Sequence, residues 1–363
     1  MHWSHSQRTL RFWFCILCGV AAAWAQAVEP GIHDPVMTRQ DGTYYAFGTG
    51  RGITVLSSKD MKTWQTEPSV FAEAPAWVST LIPDFRNSEW APDVYFHNGT
   101  YHLYYAVSAF GRNNSAIGVV TNTTLDKNDP DYKWVDHGMV VKSVPGRDMW
   151  NAIDPQVFPD QDGKAWMTFG SFWGGIKLVR LNDNLLELAS GPDREWHTIA
   201  ARNRYWKLDD RDAGDGANPE LKYDEIYPKE VQALEQQTQN GAIEAPFIFH
   251  KNDYYYLFAS WDRCCRGVNS SYKIVVGRST KVTGPYVDKE DETMIWGGGS
   301  LVVRGVSESK RWAALGHNAA YTFDGVDYLV FHAYDKTDRG RSKLVIKPIE
   351  WDAEGWPTVA LNE

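Results

Sequence analysis

Cysteine is scarce in this sequence: four among 363 residues, with Cys15 and Cys18 both inside the first 27. The other two, Cys264 and Cys265, are adjacent, so they make neither a Cys-x-x-Cys redox site nor a spaced zinc-ligand set. In an oxidising compartment they either close a vicinal disulfide or remain two buried thiols. Long apolar runs are also missing beyond the N-terminus, and the one there, Phe12–Ala23, is too short to span a bilayer. Positive charge is in deficit, with Lys+Arg 37 against Asp+Glu 46 and a net charge of −9. Such a surface is a poor partner for nucleic acid or acidic polymers and leaves neutral ligands open. Gly-x-Ser-x-Gly, His-Glu-x-x-His and a phosphate-binding glycine loop are all absent.

The first 27 residues have the layout of a secretory signal. Arg8 and Arg11 precede the apolar stretch, and Ala25-Gln26-Ala27 supplies a small-x-small cleavage site. Cleavage near Ala27 would deliver a secreted or periplasmic chain with no membrane segment. Its net charge would be −11, because Arg8 and Arg11 leave with the signal. Residues 28–363 are expected to form one domain.

That domain repeats a phrase five times. Asp34-Pro35-Val36-Met37 leads to a turn at Asp41-Gly42 and then to Tyr44-Tyr45-Ala46-Phe47. Pro92-Asp93-Val94-Tyr95-Phe96 leads to Asn98-Gly99, Asp154-Pro155 to Asp162-Gly163, Glu244-Ala245-Pro246 to Asn252-Asp253, and His317-Asn318-Ala319 to Asp324-Gly325. Each turn is followed by a second apolar strand. Asp-Gly and Asn-Gly supply the positive φ angles of tight hairpin turns. Five such units of several short strands, too irregularly spaced for a solenoid, predict an all-β fold: a five-bladed β-propeller with its active site at one end of the central channel.

Counting back eight or nine places from each turn gives Asp34, Ala91, Asp154, Glu244 and His317. First strands of successive blades converge on a propeller's axis, so these side chains are expected to meet. Carboxylates are costly in an apolar channel unless they are paired or catalytic. Glycoside hydrolysis uses two, an acid for the leaving oxygen and either a base or a nucleophile, and a third can raise the acid's pKa. Tryptophan and tyrosine are abundant, at 17 and 18 residues. Their faces suit both blade packing and the C–H side of a sugar ring. An insertion over residues about 190–240 breaks the rhythm, with an acidic stretch Leu208–Gly216 and a helix-forming stretch Pro228–Gln237. Because it feeds directly into Glu244, it is expected to wall the cleft.

Several stretches resemble glycoside hydrolase family 43: His33-Asp34-Pro35, Glu89-Trp90-Ala91-Pro92-Asp93, Asn151-Ala152-Ile153-Asp154-Pro155, Phe169–Gly175 and Ile243–Phe247. Cys264–Ile274, Gly297–Ser300, Gly316–Ala319 and Tyr328–Asp335 are similar, more narrowly, to that family's endo-acting 1,5-α-L-arabinanases. The resemblance implies cleavage of internal bonds of arabinan, a neutral polysaccharide, with inversion, by a monomeric enzyme. By the same resemblance Asp34 is the general base, Glu244 the general acid, and Asp154 the residue that tunes and positions that acid. Trp90, Phe110, Asn151 and Ser171 match sugar-binding positions. His317 matches an axial histidine beside a largely water-ligated calcium ion. Alternatives are an exo-acting arabinofuranosidase or xylosidase of the same family, and a non-catalytic sugar-binding propeller, which would be expected to have lost one of the three acids.

Overall fold

The computed structural model describes residue 1 and residues 29–145, 147–148, 150–202, 242–305 and 309–361. The expected signal peptide and the part of the expected insertion beyond residue 202 lie outside these. The strands group into five antiparallel blades. Blade one holds β1 (Val36–Gln40), β2 (Thr43–Gly48), β3 (Thr54–Ser58) and β4 (Gln65–Thr66); blade two holds β5 (Trp90–His97), β6 (Thr100–Val107), β7 (Ser115–Asn122) and β8 (Val135–Ser143). Blade three comprises β9 (Gln156–Pro159), β10 (Ala165–Phe169), β11 (Ile176–Arg180) and β12 (Trp196–Ala200). Blade four comprises β13 (Ile243–Lys251), β14 (Tyr254–Trp261), β15 (Lys273–Ser279) and β16 (Ser300–Arg304). The last blade has three strands, β17 (Trp312–Phe323), β18 (Val326–Asp335) and β19 (Arg341–Pro348).

Aromatic and β-branched residues dominate the central strands, as in Tyr254–Trp261 of β14, and these strands are almost wholly buried between neighbouring blades. The hairpin turns form as their sequence demands, with φ of 48° and 72° at Asp41 and Gly42 and 48° and 78° at Asn98 and Gly99. Residues at the N-terminus complete the last blade. Gly31 bridges Lys343 of β19, Leu344 N donates to Pro30 O at 2.9 Å, and Arg311 pairs with Glu29. The start of the described chain thereby closes the ring onto its end.

First strands of adjacent blades contact one another around the axis. Three side chains tie them together through a shared geometry. Asp93 Oδ2 accepts from Val157 N at 2.7 Å, Gln156 Oε1 from Ile248 N at 3.1 Å, and the Tyr321 hydroxyl from Met37 N at 3.0 Å.

A second repeated device aims side chains at the channel mouth. Asp34, Ala91, Asp154, Ala245 and His317 all lie in the left-handed region, with φ of 54°, 42°, 57°, 52° and 53°. In blades two, four and five this residue sits inside a register shift, between Trp90 and Asp93, Glu244 and Phe247, and Gly316 and Ala319. Bulges of this kind bend a strand and redirect its side chains. The repeat position in blade four is therefore Ala245, and Glu244 is the residue before it, equivalent to Trp90 and Gly316. The count from the turn was one place too long there, because the fourth hairpin uses two loop residues, Asn252 and Asp253, like the first. Only blade three, with its longer loop over residues 160–164, needs nine.

Candidate active site

Asp34 stands between two imidazoles on one carboxylate oxygen. His33 Nδ1 lies 2.8 Å and His317 Nδ1 3.1 Å from its Oδ1, while its Oδ2 accepts from Thr49 Oγ1 at 2.5 Å. Burial works against a charge at Asp34, but His317 and His33 outweigh it and hold this carboxyl well below the usual range. His317 moves the other way. Burial disfavours its proton, yet Asp34, with Asp154 and Glu244 beyond, pushes it up to about 9. His332 is buried and neutral, its pKa driven well down by burial and then by His33. Its Nδ1 accepts from the backbone N of Asp34 at 3.1 Å, which fixes the left-handed position that carries the carboxylate.

Among the described residues, the other two acids have no cation in hydrogen-bond contact. Glu244 takes Ser171 Oγ on Oε2 at 2.7 Å and the Tyr272 hydroxyl on Oε1 at 2.8 Å. Burial raises its pKa, only partly opposed by those two hydrogen bonds. Asp154 accepts from Ala245 N at 3.1 Å and is also raised, by burial first, with Glu244 and Asp34 adding repulsion against the pull of His317. These left-handed positions thus gather one carboxyl held low and two pushed up around one histidine. Groups whose environments drive their pKa values apart can divide acid and base work.

Of the remaining residues expected from the sequence, Trp90 and Phe110 line a cleft of about 410 Å³ with Asp84, Arg86, Ser88, Ser108 and Arg112. Phe110 is 81% exposed, an open aromatic face. Asn151 is buried, and its Oδ1 accepts from Ser115 Oγ at 2.6 Å. Ser171 spends its hydroxyl on Glu244. Five contributors were not singled out from the sequence: His33, Thr49, Tyr272, His332 and Tyr334. Their available signal is a polar ring or hydroxyl inside or beside an apolar strand, as with His332 within Leu329–Ala333. Tyr272 reaches Glu244 only because residue 316 is glycine, where a Cβ would lie 2.2 Å from the Tyr272 ring.

Calcium gathers six to eight oxygen ligands. His317 offers an imidazole whose Nδ1 is already on Asp34, and the surrounding carboxylates are engaged with Thr49, Ala245, Ser171 and Tyr272. Among the described residues, the His/Cys/Asp/Glu set close enough to share an ion is His33, Asp34 and His332, rich in nitrogen and including Asp34 itself. This donor set does not form a calcium cage.

A model of the glycosyl hydrolases family 43 matches residues 28–357. The chain belongs to glycosyl hydrolase family 43. It is 49% identical over 362 residues to an extracellular exo-α-(1→5)-L-arabinofuranosidase of Cellvibrio japonicus, covering 100% of this chain and 94% of the relative. It is 37% identical to an extracellular endo-α-(1→5)-L-arabinanase of Bacillus subtilis, covering 93% and 90%. Among solved structures, Cellvibrio cellulosa α-L-arabinanase complexed with arabinohexaose is 50% identical, with a TM-score of 0.79 over 92% of this chain and 96% of that one. Membership makes this family 43 chain a glycoside hydrolase. Its cysteines, Cys264 and Cys265, are joined as a vicinal disulfide, with Cys265 exposed, so the buried-thiol alternative drops out. No helix among the described residues is long and apolar enough to cross a membrane.

Proposed function

We propose that this enzyme is exported and hydrolyses α-1,5-linked L-arabinan with inversion at the anomeric carbon. The observation that carries the reading is the contrast at one channel mouth between Asp34, set against two imidazoles, and Glu244, buried against two hydroxyls. Asp34, ionised beside His33 and His317, takes a proton from water as the water attacks the anomeric carbon. Glu244, kept protonated by burial, gives its proton to the leaving glycosidic oxygen while Ser171 and Tyr272 hold it in place. Asp154, itself pushed up to about 8 by burial first and then by Glu244 and Asp34, sits beside the acid and holds the backbone next to it through Ala245 N. Trp90 and Phe110 supply stacking faces for neighbouring sugars. A calcium ion near His317 would have to be ligated mainly by water, and no step above depends on it. Exhaustive chelation, read by melting temperature, tests for it.

Internal cleavage, the expectation from sequence, competes with release from a chain end. We favour chain-end release of short arabino-oligosaccharides. Support comes from the higher identity to the exo-named relative and from the 42-residue connection, 201–242, between β12 and β13, shorter than the expected insertion because Trp196–Ala200 is the fourth strand of blade three. Digestion of debranched arabinan beside a nitrophenyl arabinofuranoside tests substrate and mode together, with NMR following the product anomer. Uniform short products with slowly falling viscosity fit chain-end attack, whereas early viscosity collapse returns the reading to internal cleavage. Initial release of the retained anomer would exclude the proposed roles of Asp34 and Glu244.

A further inference from the structure

A chain of hydrogen bonds runs from the vicinal disulfide to Asp34. Cys265 N donates to the Tyr334 hydroxyl oxygen at 2.7 Å, and that hydroxyl lies 3.0 Å from His33 Nε2. The phenol oxygen has a second lone pair beside the one that takes the Cys265 N–H, so it meets His33 Nε2 either as donor or as acceptor. His33 Nδ1 carries the proton that faces Asp34 Oδ1 at 2.8 Å, because an ionised carboxylate only accepts. The ring is further fixed by stacking on buried His332, with centroids 4.0 Å apart. Cys265 holds φ at 63°, and the bond to Cys264 restrains the backbone whose N–H points at Tyr334. Cys264 and Tyr334 share a small apolar cluster with Tyr272 and Ala314, so the loop is seated against the same wall that carries the partner of Glu244. Cys265 Sγ itself lies 3.9 Å from His33 Nε2, at the exposed rim.

We propose that His33 is a positioning residue for the base, and that the Cys264–Cys265 loop, through Tyr334, is what sets the angle of His33. Such an outer partner fixes an imidazole as the second partner of a metal-bound or catalytic histidine does. The inference rests on Asp34 being the base. The disulfide acts by geometry alone and exchanges no electrons in the reaction.

The test measures kcat and KM separately on a linear arabino-oligosaccharide. His33→Ala is expected to lower kcat roughly 10- to 100-fold, the worth of a hydrogen bond to a charged group. KM should stay within about twofold. His33→Asn, which returns an N–H near the Nδ1 place, is expected to recover most of that loss. Tyr334→Phe and the paired change Cys264→Ser with Cys265→Ser should each cost roughly tenfold in kcat, and combining them should cost no more than either, because both act through one hydroxyl. Should the serine pair fold poorly, dithiothreitol supplies the same comparison on the native chain, reducing the disulfide to two thiols as the reagent is oxidised. Losses that multiply, equal defects in His33→Ala and His33→Asn, or an effect on KM alone would overturn the inference. Asp34→Ala is assayed alongside. An inactive Asp34→Ala with a fully active His33→Ala removes this inference and leaves the base, whereas an active Asp34→Ala removes both.

Discussion

Two buried aspartates share the central channel and behave in opposite ways. Asp34, at the mouth, is 8% exposed, and Asp93, deeper in, is 2% exposed. Asp34 faces His33 and His317, which hold it low, whereas Asp93 takes the backbone N–H groups of Val157 and Val94 near Tyr104 and Tyr321, and burial pushes it up to about 7. Its deeper position holds a mechanical part, since Gln156 in the next blade takes the corresponding N–H of Ile248 with an uncharged amide. Burial is common to both sites, and neighbours decide which acid can work as a base. The left-handed bulge marks the boundary, because it turns the residue before it and the residue within it towards the mouth and leaves the following positions to stitch blades.

The largest test of that contrast is removal of the charge at each place. Asp34→Asn should lower kcat by roughly 10²–10⁴-fold, the usual contribution of a general base. Asp93→Asn, which keeps an acceptor for Val157 N, should leave kcat near that of the parent. Glu244→Ala should lose as much as Asp34→Asn on arabinan. A substrate with an activated aryl leaving group should recover part of the Glu244→Ala activity and none of the Asp34→Asn activity. Equal rescue of both, or a catalytic defect in Asp93→Asn as deep as in Asp34→Asn, would break the division between mouth and interior.

The next effect concerns stability and has opposite signs in the two places. Asp93 binds its proton more tightly folded than unfolded, so it makes the fold lose stability as pH rises from about 4 to about 7. Asp93→Asn should flatten that slope and leave the protein more stable at pH 8, by on the order of a few kcal/mol. Asp34 is depressed instead, so its stabilisation is present above the ordinary aspartate range and is lost as pH falls through its lower folded pKa. Urea denaturation at a series of pH values separates the two, and a parallel pH response of both variants would show that neighbours do not set the difference.

Blade number and the membership of the acid cluster were legible because apolar strands, turn residues and carboxylates recur together. The register of Glu244 was not, since the fourth turn lacks glycine and its count was free by one residue. Ser171 was placed near the sugar by resemblance alone, and its partner Glu244 shows only in the structure, where the two residues bridge. The imidazoles around Asp34 come from both ends of the chain, His33 at one and His317 and His332 at the other. The repeat count brought His317 to Asp34, but His33 and His332 fall outside it and meet Asp34 only when the ring is closed.

The smallest expected effect lies at that closure. Tyr321 of the last blade accepts from Met37 N of the first, the same interblade link that Asp93 and Gln156 make elsewhere. Its ring also packs on Phe247 at 5.4 Å and on Phe323 at 5.6 Å, contacts that phenylalanine would keep. Tyr321→Phe therefore removes one acceptor and leaves the buried Met37 N–H unpaired, a loss of about 1–3 kcal/mol. Met37 follows Asp34 by three residues, so a link that also set the mouth would move the base and lower kcat. The left-handed position at Asp34 has its own clamp in His332, which accepts the Asp34 N–H independently of Tyr321. Tyr321→Phe should accordingly lower the melting temperature while kcat and KM hold, and a fall in kcat at a temperature where the variant is fully folded would mean that the interior links and the mouth are one mechanical unit.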